Sequence, residues 1–195
     1  LSANVKLTLT NVVLNGEWVE SGNAVSQNGS IISVTNANAQ LTLTGETVGT
    51  DTVGPTLTGN YRYGNGGAID LQQGTLNLGT SVITGNKVLG TDTDMSYGGA
   101  IYYNPGTEAV PSTTAINVSG RPVVELNTQY NLGVDKAPVT SNLYAGNKLF
   151  DVSGNLEEGA KVGIYSSLNE GDKFATVDSS VTEKYAAAFS NDAVP

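Results

Sequence analysis

The sequence predicts an all-β solenoid in which short strands stack coil upon coil, and three observations carry that prediction. The first is composition. Charged residues make up only 14% of the chain, while glycines number 24, threonines 22 and asparagines 20. β-Branched residues and turn formers thus stand where a helical protein would carry Ala, Glu, Lys and Leu. The second is period-two alternation. In "VKLTLTNVVLNG", Val5, Leu7 and Leu9 alternate with Lys6, Thr8 and Thr10 before Asn15-Gly16 turns the chain, the pattern of a strand with one buried face. The third is recurrence of words. Gly-Gly-Ala-Ile starts at Gly66 and again 32 residues later at Gly98, and Thr-Gly-Asn starts at Thr58 and again 26 residues later at Thr84.

Unequal intervals suit a solenoid whose turns keep their strands and vary their loops. A sandwich also has many short strands, but stacked coils alone explain why the same residue types return. Further strands are read at 29–34, 39–45, 56–60, 74–79, 82–86, 115–118, 123–126, 149–152 and 162–165. In this reading Gly66-Gly67 and Gly98-Gly99 take corner conformations with positive φ. Ala68 and Ala100, or Ile69 and Ile101, enter the narrow interior. Asn60 and Asn86 stack at a corner, bonding backbone groups above and below. One segment departs from the pattern. In "SSVTEKYAAAFSND", Ser180 and Glu183 form a capping box, and Val181, Tyr185 and Phe189 recur at helical spacing, which predicts a short helix covering the end of the coil.

The 195 residues fit one domain, with main coils over 1–140 and a closing module over 141–195. The net charge of −9 and the absence of a basic cluster argue against nucleic acid and against an anionic membrane surface. There is no Cys and no His, so thiol chemistry, disulfides and imidazole catalysis are excluded. No apolar run is long enough to span a bilayer as a helix. No leader is visible, and the chain reads as a fragment or a mature product of a larger protein.

Gly-Gly-Ala-Ile followed by a hydrophobic-x-x-Asn step resembles the repeats of polymorphic outer-membrane autotransporter adhesins, with Leu57 and Ile83 where those repeats carry Phe. Closer is the likeness to β-helical repeat regions of large surface proteins from Gram-positive gut bacteria. "LTLTNVVLNG", "GGAI…GTLNL…ITGNK", "INVSGRPVVELNT", "SNLYAGNKLFDVSGNLEEGAKVGI" and "FSNDA" follow one another in that family's order. Residues 17–27 and 90–96 stand as insertions. The resemblance implies a right-handed parallel β-helix in an extracellular, adhesin-like protein, with no catalytic residues to carry over.

Parallel β-helices also host polysaccharide lyases and hydrolases, whose sites resemble Asp clusters beside Arg or Lys. The nearest candidates are Asp51, Asp92, Asp94, Arg62 and Lys87. Asp92 and Asp94 are also the one candidate pair for calcium. The pair more simply reads as a solvated acidic loop, and Glu157-Glu158 reads as a turn. Five of the nine tyrosines (Tyr61, Tyr63, Tyr97, Tyr102 and Tyr103) fall within 43 residues. Phenols suit sugar or protein contacts because they combine apolar area with a polar handle. Alternation from an inward Ile101 points Tyr102 outward and Tyr103 inward. Trp18 is a further candidate contact. Thr-x-Thr pairs at Thr8, Thr42 and Thr56 are reminiscent of ice-binding ladders, but variable repeat length defeats a flat lattice. The expected function is a non-catalytic binding or stalk module, monomeric and without cofactor, whose partner is a host or bacterial surface glycan or protein. The alternative is a polysaccharide-active enzyme.

Overall fold

The computed structural model describes residues 1–17, 29–90, 95–104, 114–130, 137–182 and 186–192. The chain forms a parallel β-helix. Its first coil comprises β1 (Lys6–Leu9), β2 (Val13–Asn15) and β3 (Ile32–Val34). The second comprises β4 (Gln40–Leu43), a hairpin of β5 (Glu46–Val48) and β6 (Asp51–Val53), then β7 (Thr56–Thr58), β8 (Tyr61–Tyr63) and β9 (Ile69–Leu71). The third is β10 (Thr75–Leu78), β11 (Ser81–Thr84), β12 (Lys87–Leu89) and β13 (Ile101–Tyr103). The fourth is β14 (Ala115–Gly120), β15 (Pro122–Val124), β16 (Thr128–Tyr130), β17 (Val139–Thr140) and β18 (Leu143–Gly146). The fifth is β19 (Phe150–Leu156) and β20 (Lys161–Ser166), followed by β21 (Ala175–Val177) and β22 (Phe189–Asn191).

One sheet runs β1-β4-β10-β14-β19-β21, all parallel. A second, curled sheet joins β2-β7-β11-β15 to β3-β9-β13-β18 through β20, which pairs with both β15 and β18. Coils two to four leave this sheet between its two halves as a lateral arm, β8, β12 and β16. The fifth coil runs straight through as β20.

Register explains the recurring words. Ile32, Ile69, Ile101, Leu143 and Ile164 stand in one row. Leu41, Leu76 and Ile116 form a second, and Leu43, Leu78, Val118 and Val152 a third. All are buried. Each such side chain contributes about 1.5–3 kcal/mol by leaving water, and like shapes stacked at strand spacing fill a narrow interior without voids. On the outer face of the first sheet the Thr8–Thr42 row continues as Asn77, Asn117 and Asp151. Asn77 Nδ2 donates to Thr42 Oγ1 at 3.0 Å and Asn117 Nδ2 to Asn77 Oδ1 at 2.8 Å. The row is mixed polar, not a threonine lattice.

The glycine pairs divide their labour. Gly66 and Gly98 have φ of 72° and 68°, conformations an L side chain resists. Gly67 and Gly99 do not have positive φ, contrary to expectation. They are required for space: a Cβ on Gly99 would lie 2.6 Å from the Thr128 backbone nitrogen.

The Thr-Gly-Asn words build the corner. Asn60 N–H donates to Asn86 Oδ1 at 3.1 Å. The N–H and Nδ2 of Asn86 both donate to Asn127 Oδ1 at 3.0 Å. Asn127 donates in the same way to Asn142 Oδ1, at 3.0 and 2.9 Å. Asn142 ends the series on the Asp192 carboxylate, its N–H at 2.6 Å and its Nδ2 at 3.0 Å. All five side chains are buried, and their remaining amide hydrogens reach backbone carbonyls such as Leu57, Ile83 and Glu125. The residue before Asn60, Asn86 and Asn127 is left-handed: Gly59 at 66°, Gly85 at 68°, and in the fourth coil Leu126 at 60°. Leu126 is 74% exposed, so its side chain returns little packing for that strain. Leu126→Gly is therefore expected to stabilise the protein by about 1 kcal/mol, read as a higher urea midpoint. A lower midpoint would show that the leucine packs in solution.

The end of the chain corrects one expectation. In place of a helix over 179–192, one 3-10 turn (Ala186–Ala188) leads into β22. Glu183 and Tyr185 lie outside the described residues. Capping and alanine signals are local, whereas β20 offers β22 a parallel edge, Val162 to Phe189 and Ile164 to Asn191. Phe189 also packs on Phe150 and Phe174, at ring separations of 5.2 and 5.6 Å. The three phenylalanines of the chain close this end of the core.

Candidate functional site: a row of tyrosines on the curled sheet

Inward residues of β3, β9, β13, β18 and β20 alternate with an outward row, and that row holds the tyrosines. Ser33, Asp70, Tyr102, Tyr144 and Tyr165 are successive partners across the five strands. Tyr102 stacks on Tyr144 at 5.5 Å with planes 4° apart, and Tyr144 on Tyr165 at 5.6 Å and 26°. Tyr97, from the segment before β13, stacks on Tyr144 at 4.4 Å and 23°. Its backbone holds it there: its N–H donates to Asn65 Oδ1 at 2.8 Å, and its carbonyl accepts from Gly66 N–H at 3.0 Å. All four rings are half-buried. Tyr97 Oη meets Met95 Sδ at 3.3 Å. Among the described residues no protein group hydrogen-bonds the hydroxyls of Tyr102, Tyr144 or Tyr165. Burial, followed by the neighbouring Tyr97, Tyr102 and Tyr165, pushes the Tyr144 phenol up to about 12. Burial and the nearby Asp70 charge raise Tyr102. The raised Tyr102 and Tyr144 phenols are neutral at physiological pH and so offer both a donor and an acceptor.

A polar network borders the row. Arg62 donates to Ser30 Oγ at 2.5 Å and lies 3.5 Å from Asp70. Gln72 Nε2 donates to Asp70 Oδ1 at 2.6 Å, and Asn104 Nδ2 donates to Gln72 Oε1 at 3.1 Å. Burial raises the Asp70 carboxyl against the lowering effect of Gln72 and Arg62. The folded state therefore holds that proton more tightly than the unfolded chain, whose carboxylate titrates near ~3.9. Asp70's stabilising contribution is full below that value and is lost as pH rises through its elevated folded value. Asp70→Asn is expected to flatten this part of the stability–pH curve, measured by urea unfolding from acid to neutral pH. An unchanged slope would show that Asp70 is not the source.

The sequence placed Tyr102 outward and Tyr103 inward, and the structure has them so. Tyr103 is 3% exposed, and its one hydroxyl hydrogen is shared between the Thr114 and Leu149 carbonyls, 3.2 and 3.1 Å away. Tyr97 and Tyr102 join the row. Tyr61 and Tyr63 do not: they stand on the lateral arm, Tyr61 9% exposed and Tyr63 48%. Tyr144, Tyr165 and Asp70 escaped sequence reading. The available signal was "LYAG" and "IYS", each an apolar residue followed by Tyr as in "IYY". Trp18, Asp92 and Asp94 lie outside the described residues. Among the described residues no three acidic side chains converge as a metal site, and no helix is long and apolar enough to cross a membrane.

Comparison with protein-family models, curated proteins and solved structures finds no match for this chain.

Proposed function

We propose that this β-helix is a non-catalytic, adhesin-like binding module of a bacterial surface or secreted protein, and that the tyrosine row is its contact surface. The observation that carries the reading is the set of three in-register hydroxyls, Tyr102, Tyr144 and Tyr165, without a hydrogen-bond partner among the described residues. Residues that serve only to pack have no need to hold phenols open in a line. Because the rings lie face to face, they offer edges and hydroxyls outward. Recognition is then by hydrogen bonding along the coil axis and not by stacking of sugar faces. A net charge of −9 and the Asp70 carboxylate beside Tyr102 disfavour acidic polymers. An uncharged, hydroxyl-rich surface glycan is the ligand class that fits.

The test is a glycan array probed with the isolated chain, followed by titration of the best hit. Tyr102→Ala is expected to weaken binding about tenfold or more, with little change in melting temperature. Tyr103→Ala is expected chiefly to lower the melting temperature. Affinity unchanged in both Tyr102→Ala and Tyr144→Ala would remove the row from the binding surface. Release of new chain ends from a bound glycan would replace the non-catalytic reading with a polysaccharide-cleaving one.

A further inference from the structure

The tyrosine row also places oxidisable rings of three coils against one another. Tyr144 is the hub. It stacks on Tyr97 at 4.4 Å, Tyr102 at 5.5 Å and Tyr165 at 5.6 Å, whereas Tyr97 and Tyr165 are 6.0 Å apart. The in-register strands hold Tyr102, Tyr144 and Tyr165 in one direction. The chain has no Cys, so it has no disulfide with which to join coils.

We propose that Tyr144 is an oxidative cross-linking site, coupling to Tyr97 as an intramolecular dityrosine when a haem peroxidase and hydrogen peroxide supply the oxidation. Each phenol loses one electron and one proton, giving two phenoxyl radicals, and the peroxide is reduced to two waters. The radicals join through one ortho carbon of each ring, forming a carbon–carbon bond. The hydrogen displaced from each ortho carbon moves to that ring's oxygen and restores the phenol. The pair thus loses two hydrogens in all. The bond ties the third coil to the fourth, closing a loop from residue 97 to residue 144. Such a loop closure restricts the unfolded chain as a disulfide does. This reactivity depends on the rings alone and stands whether or not the row binds a glycan.

The experiment treats dilute folded protein with peroxidase and hydrogen peroxide. Dityrosine fluorescence, intact mass and cross-linked peptides are then read on the monomer fraction. The expected product is a monomer lighter by two hydrogens, with Tyr144 joined to Tyr97 and a raised melting temperature. Tyr144→Phe keeps the ring and the stack but is expected to lose most of this product, while Tyr63→Phe retains it. Tyr97→Phe is expected to move the bond to Tyr102 or Tyr165 without freeing Tyr144. Denaturing the protein before oxidation is expected to suppress the monomeric product. Coupling only between molecules, or an undiminished monomeric product in Tyr144→Phe, would overturn the proposal.

Discussion

Ile101→Asp is expected to cost about 3 kcal/mol or more, enough to unfold much of the protein or render it insoluble. Ile101 is fully buried between Ile69 and Leu143, the middle rung of a five-residue row. An aspartate there has no cation within the row to pair with and no water to face. The readout is the urea midpoint, or the soluble fraction where unfolding is complete. Ser33→Asp, on the outward row of the same sheet, serves as the control and is expected to fold. A stable Ile101→Asp protein would mean that this row does not lie in the core.

The second large effect belongs to the asparagine corner. Asn127→Ala removes the acceptor for both donors of Asn86, and the donors to the Ile83 and Glu125 carbonyls. Each buried group left unpaired costs about 1–3 kcal/mol, so a loss of roughly 3 kcal/mol or more is expected. Asn127→Asp is the sharper test. It keeps the shape and the acceptor, yet its side chain cannot donate to the Ile83 and Glu125 carbonyls or to Asn142 Oδ1, and it sets a carboxylate against that amide oxygen. It is expected to destabilise as much as Asn127→Ala. Asp192 tolerates its carboxylate because it only accepts, taking both donors of Asn142. Equal stability of Asn127→Asp and the parent would show that the bonding direction at this corner is not fixed.

How far the sequence could be read depends on which residues repeat literally. The two Gly-Gly-Ala-Ile copies reveal the Ile69–Ile101 row, and the two Thr-Gly-Asn copies reveal Asn60 and Asn86. In the fourth coil the same stations are written Thr140-Ser141-Asn142-Leu143 and Glu125-Leu126-Asn127, and no word search finds them. Only register shows that Asn142 stands at the level of Ala68 and Ala100, since Ala100 and Ile101 N–H both donate to its carbonyl. The tyrosine row was half legible for the same reason. Tyr102 could be oriented from Ile101 by alternation, but aligning Tyr144 and Tyr165 with it requires knowing how much chain each lateral arm consumes. That length varies from coil to coil, and the fifth coil has no arm. The missed terminal strand is a different failure. A capping box and alanines describe what an isolated segment prefers, whereas the open edge of β20 and the two other phenylalanines decide what it does.

The one-way sense of the corner hydrogen bonds has a consequence for how the molecule is made. Asn60, Asn86 and Asn127 each donate toward residues that come later in the chain, and Asn142 donates to Asp192. A ribosome releases these residues in that order. Every newly emerged corner therefore waits, with its backbone N–H unpaired, for the next stretch of chain to supply an acceptor. The protein grows like a course of bricks whose top layer stays unmortared until the following one is laid. Asp192, whose side chain only accepts, lays the last course by taking both donors of Asn142.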